Sequence, residues 1–181
     1  MTGALGLALL FTVALAAQRL IELWISARHV DRLRARGAVE SGREHFWMFV
    51  VVHTLLVLGI FAEVAFLGAR PGAAWPLWAL LLAGAQALRY AAIHALGPYW
   101  NVRVWVIPGA ELVRRGPYRF LKHPNYVAVV LELVAAPLLF GAWRTALVVG
   151  ALNALALTVR IRCEDRALAA GSATPGAPTR P

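Results

Sequence analysis

The sequence predicts an all-α integral membrane protein: a bundle of about five transmembrane helices ending in a C-terminal helical hairpin. Three observations lead there. Of the 181 residues, 60% are hydrophobic, well above the roughly 45–50% of soluble domains. Several apolar runs approach the ~20 residues needed to cross a ~30 Å hydrocarbon core. The polar residues, and most of the Arg and Lys behind a formal charge of +9, collect in the segments between those runs. Such charge in an apolar chain marks cytoplasmic loops and attracts anionic lipid, so no nucleic-acid partner is expected. Cys163 is the single cysteine; it can form no internal disulfide and builds no metal site.

The first span is expected over residues 3–24. No Lys or Arg precedes it, so residues 1–25 read as a retained span and not a cleaved signal. Residues 26–45 are Arg-rich and predict a short interfacial helix, then a turn at Arg36-Gly37. The second span covers 46–67 and contains His53 and Glu63. A short turn with Pro71 leads to the third, over 75–96, which carries Gln86, Arg89 and His94 in its inner half. Residues 97–123 form a long loop in which 103–107 alternates and predicts a short strand or extended segment. A fourth apolar helix runs over 124–140, a tight turn covers 141–144, and a fifth helix over 145–159 continues as a charged helix through 168. Both last spans read as short, hence a tilted hairpin. One transmembrane domain over 1–170 is expected, its catalytic half at about 97–168. The Gly/Ala/Pro/Thr/Ser-rich tail over 171–181 predicts disorder.

Cations set the orientation. Residues 26–45 hold five Arg, 97–123 hold four Arg and one Lys, and 160–181 hold four Arg, whereas the intervening loops hold only Arg70 and Arg144. The N-terminus is then outside, and the three basic segments meet at the cytoplasmic face.

Within the long loop, Arg114–Tyr126 is the most basic and polar stretch of the chain. In His123-Pro124-Asn125-Tyr126, Pro124 can open a helix because its nitrogen needs no partner there. The free N–H groups of that first turn favour an anionic ligand, which His123 and Tyr126 can flank. The same residues also suit a loop that caps a helix at the headgroups, with Arg119 and Lys122 on phosphate. Glu132 sits two turns into an apolar helix and must face the bundle, meeting a cation or polar ligand; an ion pair with Arg89 satisfies both. Arg160 and Glu164 share one helical face, and Arg162 and Arg166 share another. This is either an ordinary charged face or a clamp for a ligand bearing both ammonium and carboxylate. Gln18, Arg19 and Glu22 repeat the pattern more weakly. His45 and His53 lack metal-ligand spacing, so no metal is expected; His29 reads as solvated, and the Trp residues mainly as interfacial anchors. The sequence holds no nucleotide-binding glycine loop and no His-Glu-x-x-His.

Gly116-Pro117-Tyr118-Arg119, Lys122-His123-Pro124-Asn125-Tyr126 and, after the hairpin, Arg160-Ile161-Arg162-Cys163-Glu164-Asp165 resemble the isoprenylcysteine carboxyl methyltransferase family, itself similar to the phospholipid methyltransferases. The family pattern is Gly-Pro-Tyr, Arg-His-Pro-x-Tyr-x-Gly and a distal Glu-Glu. Lys122 stands where Arg is usual, Ala128 where Gly is usual, and Asp165 where the second Glu is usual. The resemblance covers about residues 97–168. It implies S-adenosylmethionine as cofactor, held on the cytosolic face by Tyr118, His123, Pro124, Tyr126, Arg160 and Glu164. The first half, with Gln18-Arg19-Leu20-Ile21-Glu22-Leu23 and Ser26-x-Arg28, is similar to a bacterial branch found with type III polyketide synthases. That likeness implies a lipophilic small-molecule acceptor drawn from the membrane lipid, an alkylpyrone or alkylresorcinol hydroxyl, in the bacterial plasma membrane. Arg89, Arg119 and Glu132 are the candidate catalytic residues, the cations orienting an oxyanion. Prenylcysteine carboxylate and phospholipid amine are alternative acceptors. A nicotinamide-dependent membrane reductase, whose motifs are similar, and a non-enzymatic membrane protein are alternatives of other classes.

Overall fold

The computed structural model describes residues 2–172. Five helices, α1 (Thr2–Ala35), α2 (Phe46–Phe66), α3 (Trp75–Leu96), α4 (Pro124–Leu139) and α5 (Trp143–Ser172), account for most of it. The only sheet among the described residues is a ribbon of β1 (Val39–Ser41) and β2 (Val104–Val106). Four of these helices are long and apolar enough to cross a membrane, and α4 is a shorter apolar one. The protein is an all-α membrane helical bundle with a C-terminal hairpin.

α1 departs from expectation. It does not stop near Trp24 but continues for 34 residues, about 50 Å at 1.5 Å per residue, so its end leaves the hydrocarbon. Residues 25–35 contain no Gly or Pro to break it. Ser26 is buried, and its Oγ and carbonyl accept the Val102 N–H and the Asn101 side-chain amide, which ties this extension to the long loop. The helix ends at Arg36-Gly37. Leu33 O accepts from Arg36 N and Ala38 N, and Gly37 at φ +75° donates to Arg34 O, a left-handed glycine cap. The chain then enters β1, which the sequence did not announce.

β1 pairs antiparallel with β2, Val39 opposite Val106 and Ser41 opposite Val104, and Arg103 bonds Glu40 across the ribbon at 3.1 Å. The extended segment expected at 103–107 is therefore a strand, and its partner is the first basic segment. The tail of α5 reaches the same place: Gly109 N donates to Gly171 O at 2.8 Å. Gly42 sits at φ +66° so close to α5 that a Cβ there would meet Cys163 Sγ at 2.6 Å. The three basic segments thus meet at one end of the bundle.

α2 and α3 begin and end within a residue of expectation. α5 is not short: it runs unbroken for 30 residues, and Gly171 and Ser172, assigned to the tail, lie within it; residues 173–181 lie outside the described residues. α4 has 16 residues, about 24 Å, and is packed between α3, α5 and α2. Pro124, Ala128, Val129, Glu132, Leu133, Ala135, Ala136 and Pro137 are all buried on it, while Val127, Val130 and Val134 form an exposed apolar stripe. Its turn into α5 uses Gly141 at φ +72°, where a Cβ would overlap Arg70 O at 2.1 Å. Glu63, near the end of α2, caps α5 by accepting from Thr145 N at 2.5 Å and Thr145 Oγ1 at 2.7 Å.

Candidate functional site

A cavity of about 730 Å³ lies between the five helices and the long loop, within the 300–1,000 Å³ usual for small-molecule sites. Its groups separate into two parts.

One part is the motif end. Tyr118, His123, Asn125, Tyr126, Arg160 and Glu164 all line the cavity. The Tyr126 hydroxyl donates to Glu164 and accepts from Arg160 Nε at 3.0 Å. Arg160 also donates to Val102 O at 2.8 Å and lies over the Phe49 ring at 5.7 Å. His123 stacks on Tyr126 with centroids 5.2 Å apart. Its Nδ1 lies 3.8 Å from Glu164 Oε1 and its Nε2 3.3 Å from Asp165 Oδ1, while Lys122 pairs with Asp165 at 2.8 Å. Burial pushes the Tyr118 phenol above its ordinary range, and the Glu164 carboxylate adds to the effect. Pro124 is buried at the first position of α4 and shapes the loop without lining the cavity. The first turn of α4 is less open to an anion than expected, because Tyr126 N and Val127 N already donate to His123 O.

The other part lies six residues further along α4, about 9 Å from Tyr126. Glu132 is fully buried. It accepts from Arg19 Nη2 at 3.0 Å to each oxygen, from Arg89 Nη2 at 2.6 Å and from Gln86 at 2.9 Å. Arg19 also pairs with Glu22 at 2.7 Å, and Arg89 lies 3.6 Å from Glu22. Gln18 donates to both Glu22 and Gln86. Two guanidinium groups and two carboxylates therefore balance, as their burial requires. Arg19, Glu22, Arg89 and His53 line the cavity.

The structure brings eight of the sequence-predicted residues to or beside this cavity, but not Arg119, which is exposed over Phe120 at 5.8 Å and absent from the lining. Ala128 is fully buried and also off the lining. Arg19 is central, not peripheral: its spacing to Glu22 hinted at a shared face, but no local signal pointed to Glu132, 113 positions away. Asn125, whose Oδ1 is buried without a partner, and His53 were missed as site residues. His29 is not simply solvated; its Nδ1 lies 2.7 Å from Trp100 O.

Residues 78–170 match the model of the isoprenylcysteine carboxyl methyltransferase family, which includes both motifs and the hairpin. The chain is also similar to two proteins that are themselves uncharacterized. YpbQ of Bacillus subtilis is 38% identical over 88% of this chain and 95% of its own length; a protein of Haemophilus influenzae is 28% identical over 84% and 89%. No solved structure matches. Matched across half its length by that family's pattern, and carrying the pattern's residues around one cavity, this chain belongs to the isoprenylcysteine carboxyl methyltransferase family and is a membrane methyltransferase, its family using S-adenosylmethionine as methyl donor.

Proposed function

We propose that the protein transfers a methyl group from S-adenosylmethionine to an oxygen of a lipophilic acceptor, the hydroxyl of an alkylpyrone or alkylresorcinol. The observation that carries this is the continuity of the cavity: a charged aromatic clamp at one end and two guanidinium groups at the other, joined by an apolar wall. Leu20, Leu23, Val50 and Leu58 line it and are also exposed on the outside of α1 and α2. A lipid tail can therefore lie between these helices while the head reaches Arg19 and Arg89.

The motif end fits the donor. Asn125 Oδ1 is a buried acceptor with nothing bound to it, Glu164 offers a carboxylate to an ammonium, and Arg160 and His123 stand beside it for a carboxylate. Tyr118 and Tyr126 complete the walls, with Pro124 holding the loop behind them. When bound, S-adenosylmethionine supplies an activated methyl on a sulfonium, so the chain's task is to align the acceptor oxygen and exclude water. Arg89, with Arg19 beside it, orients that oxygen. Glu132 acts through the two guanidinium groups it holds, and Arg119 serves the headgroup layer. Guanidinium groups favour an oxygen over a phospholipid ammonium, which ranks the prenylcysteine carboxylate second and the amine third. The basic end of the bundle faces the cytoplasm of a bacterial plasma membrane, with the N-terminus outside.

Calorimetry on detergent-purified protein tests the donor site. Saturable S-adenosylmethionine binding is expected, lost in both His123→Ala and Glu164→Ala. No binding by the folded parent, with binding of a nicotinamide cofactor, would replace methyl transfer by reduction. Labelled methyl transfer to alkylresorcinol, alkylpyrone, prenylcysteine and phosphatidylethanolamine then ranks the acceptors.

A further inference from the structure

We infer that His53 is a catalytic base, its Nε2 taking the proton from the acceptor's hydroxyl, and that the acceptor is a weakly acidic phenol. This rests on the hydroxyl-acceptor function proposed above. Three unpartnered buried nitrogens belong to cavity-lining residues at the deep end: His53 Nε2, Arg19 Nε and Arg89 Nε. His53 Nδ1 lies 2.8 Å from Phe49 O, and a carbonyl can only accept. Nδ1 therefore carries the hydrogen, and Nε2 keeps a free lone pair in the neutral ring. The unmet demand is one acceptor and two donors. A hydroxyl answers it, donating once and accepting twice. A carboxylate only accepts and would leave Nε2 unmet; an ammonium only donates and would leave both Arg nitrogens unmet.

The position also suits the reaction. Phe49, which fixes the His53 ring, lies against Arg160 of the donor clamp and is one helical turn, about 6 Å, from His53. The charged groups facing His53 are Arg19 on α1, Arg89 on α3 and Glu132 on α4; from α5, Arg160 stands one turn back. In the step, the O–H proton passes to Nε2. The oxygen's electron pair forms the new O–CH₃ bond while the methyl–sulfur bond breaks. That bonding pair stays on sulfur as a neutral thioether, and the imidazolium later releases its proton to water. A resorcinol hydroxyl, with a pKa of about 10 like other phenols, needs such a base. A hydroxypyrone already ionised at neutral pH does not.

The test compares labelled methyl transfer to a long-chain alkylresorcinol and a long-chain hydroxyalkylpyrone by the detergent-purified parent and His53→Gln. On the resorcinol, kcat is expected to fall roughly 100- to 10,000-fold, at least ten times more than on the pyrone, with donor affinity retained. Unchanged resorcinol turnover in His53→Gln, or equal losses on both acceptors, overturns the assignment. Should the variant not fold, the parent decides: with the imidazole already neutral at pH 7, resorcinol turnover is expected to stay level from neutral pH upward. A rise continuing to alkaline pH, following the phenol itself, refutes a histidine base. A parent active only on the pyrone keeps the hydroxyl reading and overturns the base. One active only on prenylcysteine or phosphatidylethanolamine overturns both.

Discussion

Replacing Glu132 with Gln separates a buried charge balance from ordinary packing, since the two side chains have nearly the same shape. Glu132 receives all four of its bonds from Arg19, Arg89 and Gln86, and with Glu22 it neutralises the two guanidinium groups. The amide turns an NH₂ towards those donors and leaves the cluster with one surplus positive charge away from water. Removing one partner of a buried pair costs about 3–5 kcal/mol in soluble proteins. The lower end applies here, because a chain unfolded within the membrane also finds partners for its polar groups. A loss of about 3 kcal/mol corresponds to roughly 6–12 °C in melting temperature for a chain of this size. Thermal unfolding in detergent, followed by circular dichroism, reads it. Adding Arg19→Gln removes the surplus charge while Arg89 keeps Glu22, so the double variant should regain more than about 1 kcal/mol relative to the sum of the single changes. Additive losses, or a Glu132→Gln variant within about 0.5 kcal/mol of the parent, would show that the four charges do not act as a unit.

Glu63→Ala, at the opposite end of α5 from the site, removes the acceptor of Thr145 N and Oγ1; about 1–3 kcal/mol of stability should be lost with S-adenosylmethionine affinity unchanged by calorimetry. The Tyr118 phenol is held protonated in the folded state above its ordinary pKa of 10.0. Its contribution is therefore intact below about pH 10, and stability should fall as pH rises beyond that and the unfolded chain ionises first. In Tyr118→Phe, melting temperatures between pH 9 and 11 should fall less steeply than in the parent; parallel curves would mean that Tyr118 ionises as freely folded as unfolded.

Much of this arrangement is legible in the chain. The run from Trp75 to Leu96 predicts α3 to the residue, because length, apolarity and the glycine that follows are all local. The alternation at 103–107 predicts β2. Glu132 predicts that a cation will meet it, because a carboxylate in an apolar helix has no other way to stay charged. What failed did so for nonlocal reasons. The polarity beginning at Ser26 reads as the end of α1, yet the helix continues because Ser26 finds partners in Asn101 and Val102, some 75 positions away. β1 is three residues long, too short to carry a pattern and stabilised only by β2. Arg119 belongs to the basic motif stretch, but the 3-10 turn at Gly116–Arg119 leaves it facing outwards.

The membrane bundle, the site's main motif and the family are all legible in the chain, since each follows from composition or from residues close along it. Packing sets which cations meet Glu132, how the motif end joins the apolar cleft, and that a histidine with no metal-ligand spacing shares that cavity with two arginines, its Nε2 unpartnered. Those relations depend on how α1, α2 and α3 rotate against a short, buried α4. That rotation is the sum of many packing contacts between distant segments, which no local stretch of the chain encodes.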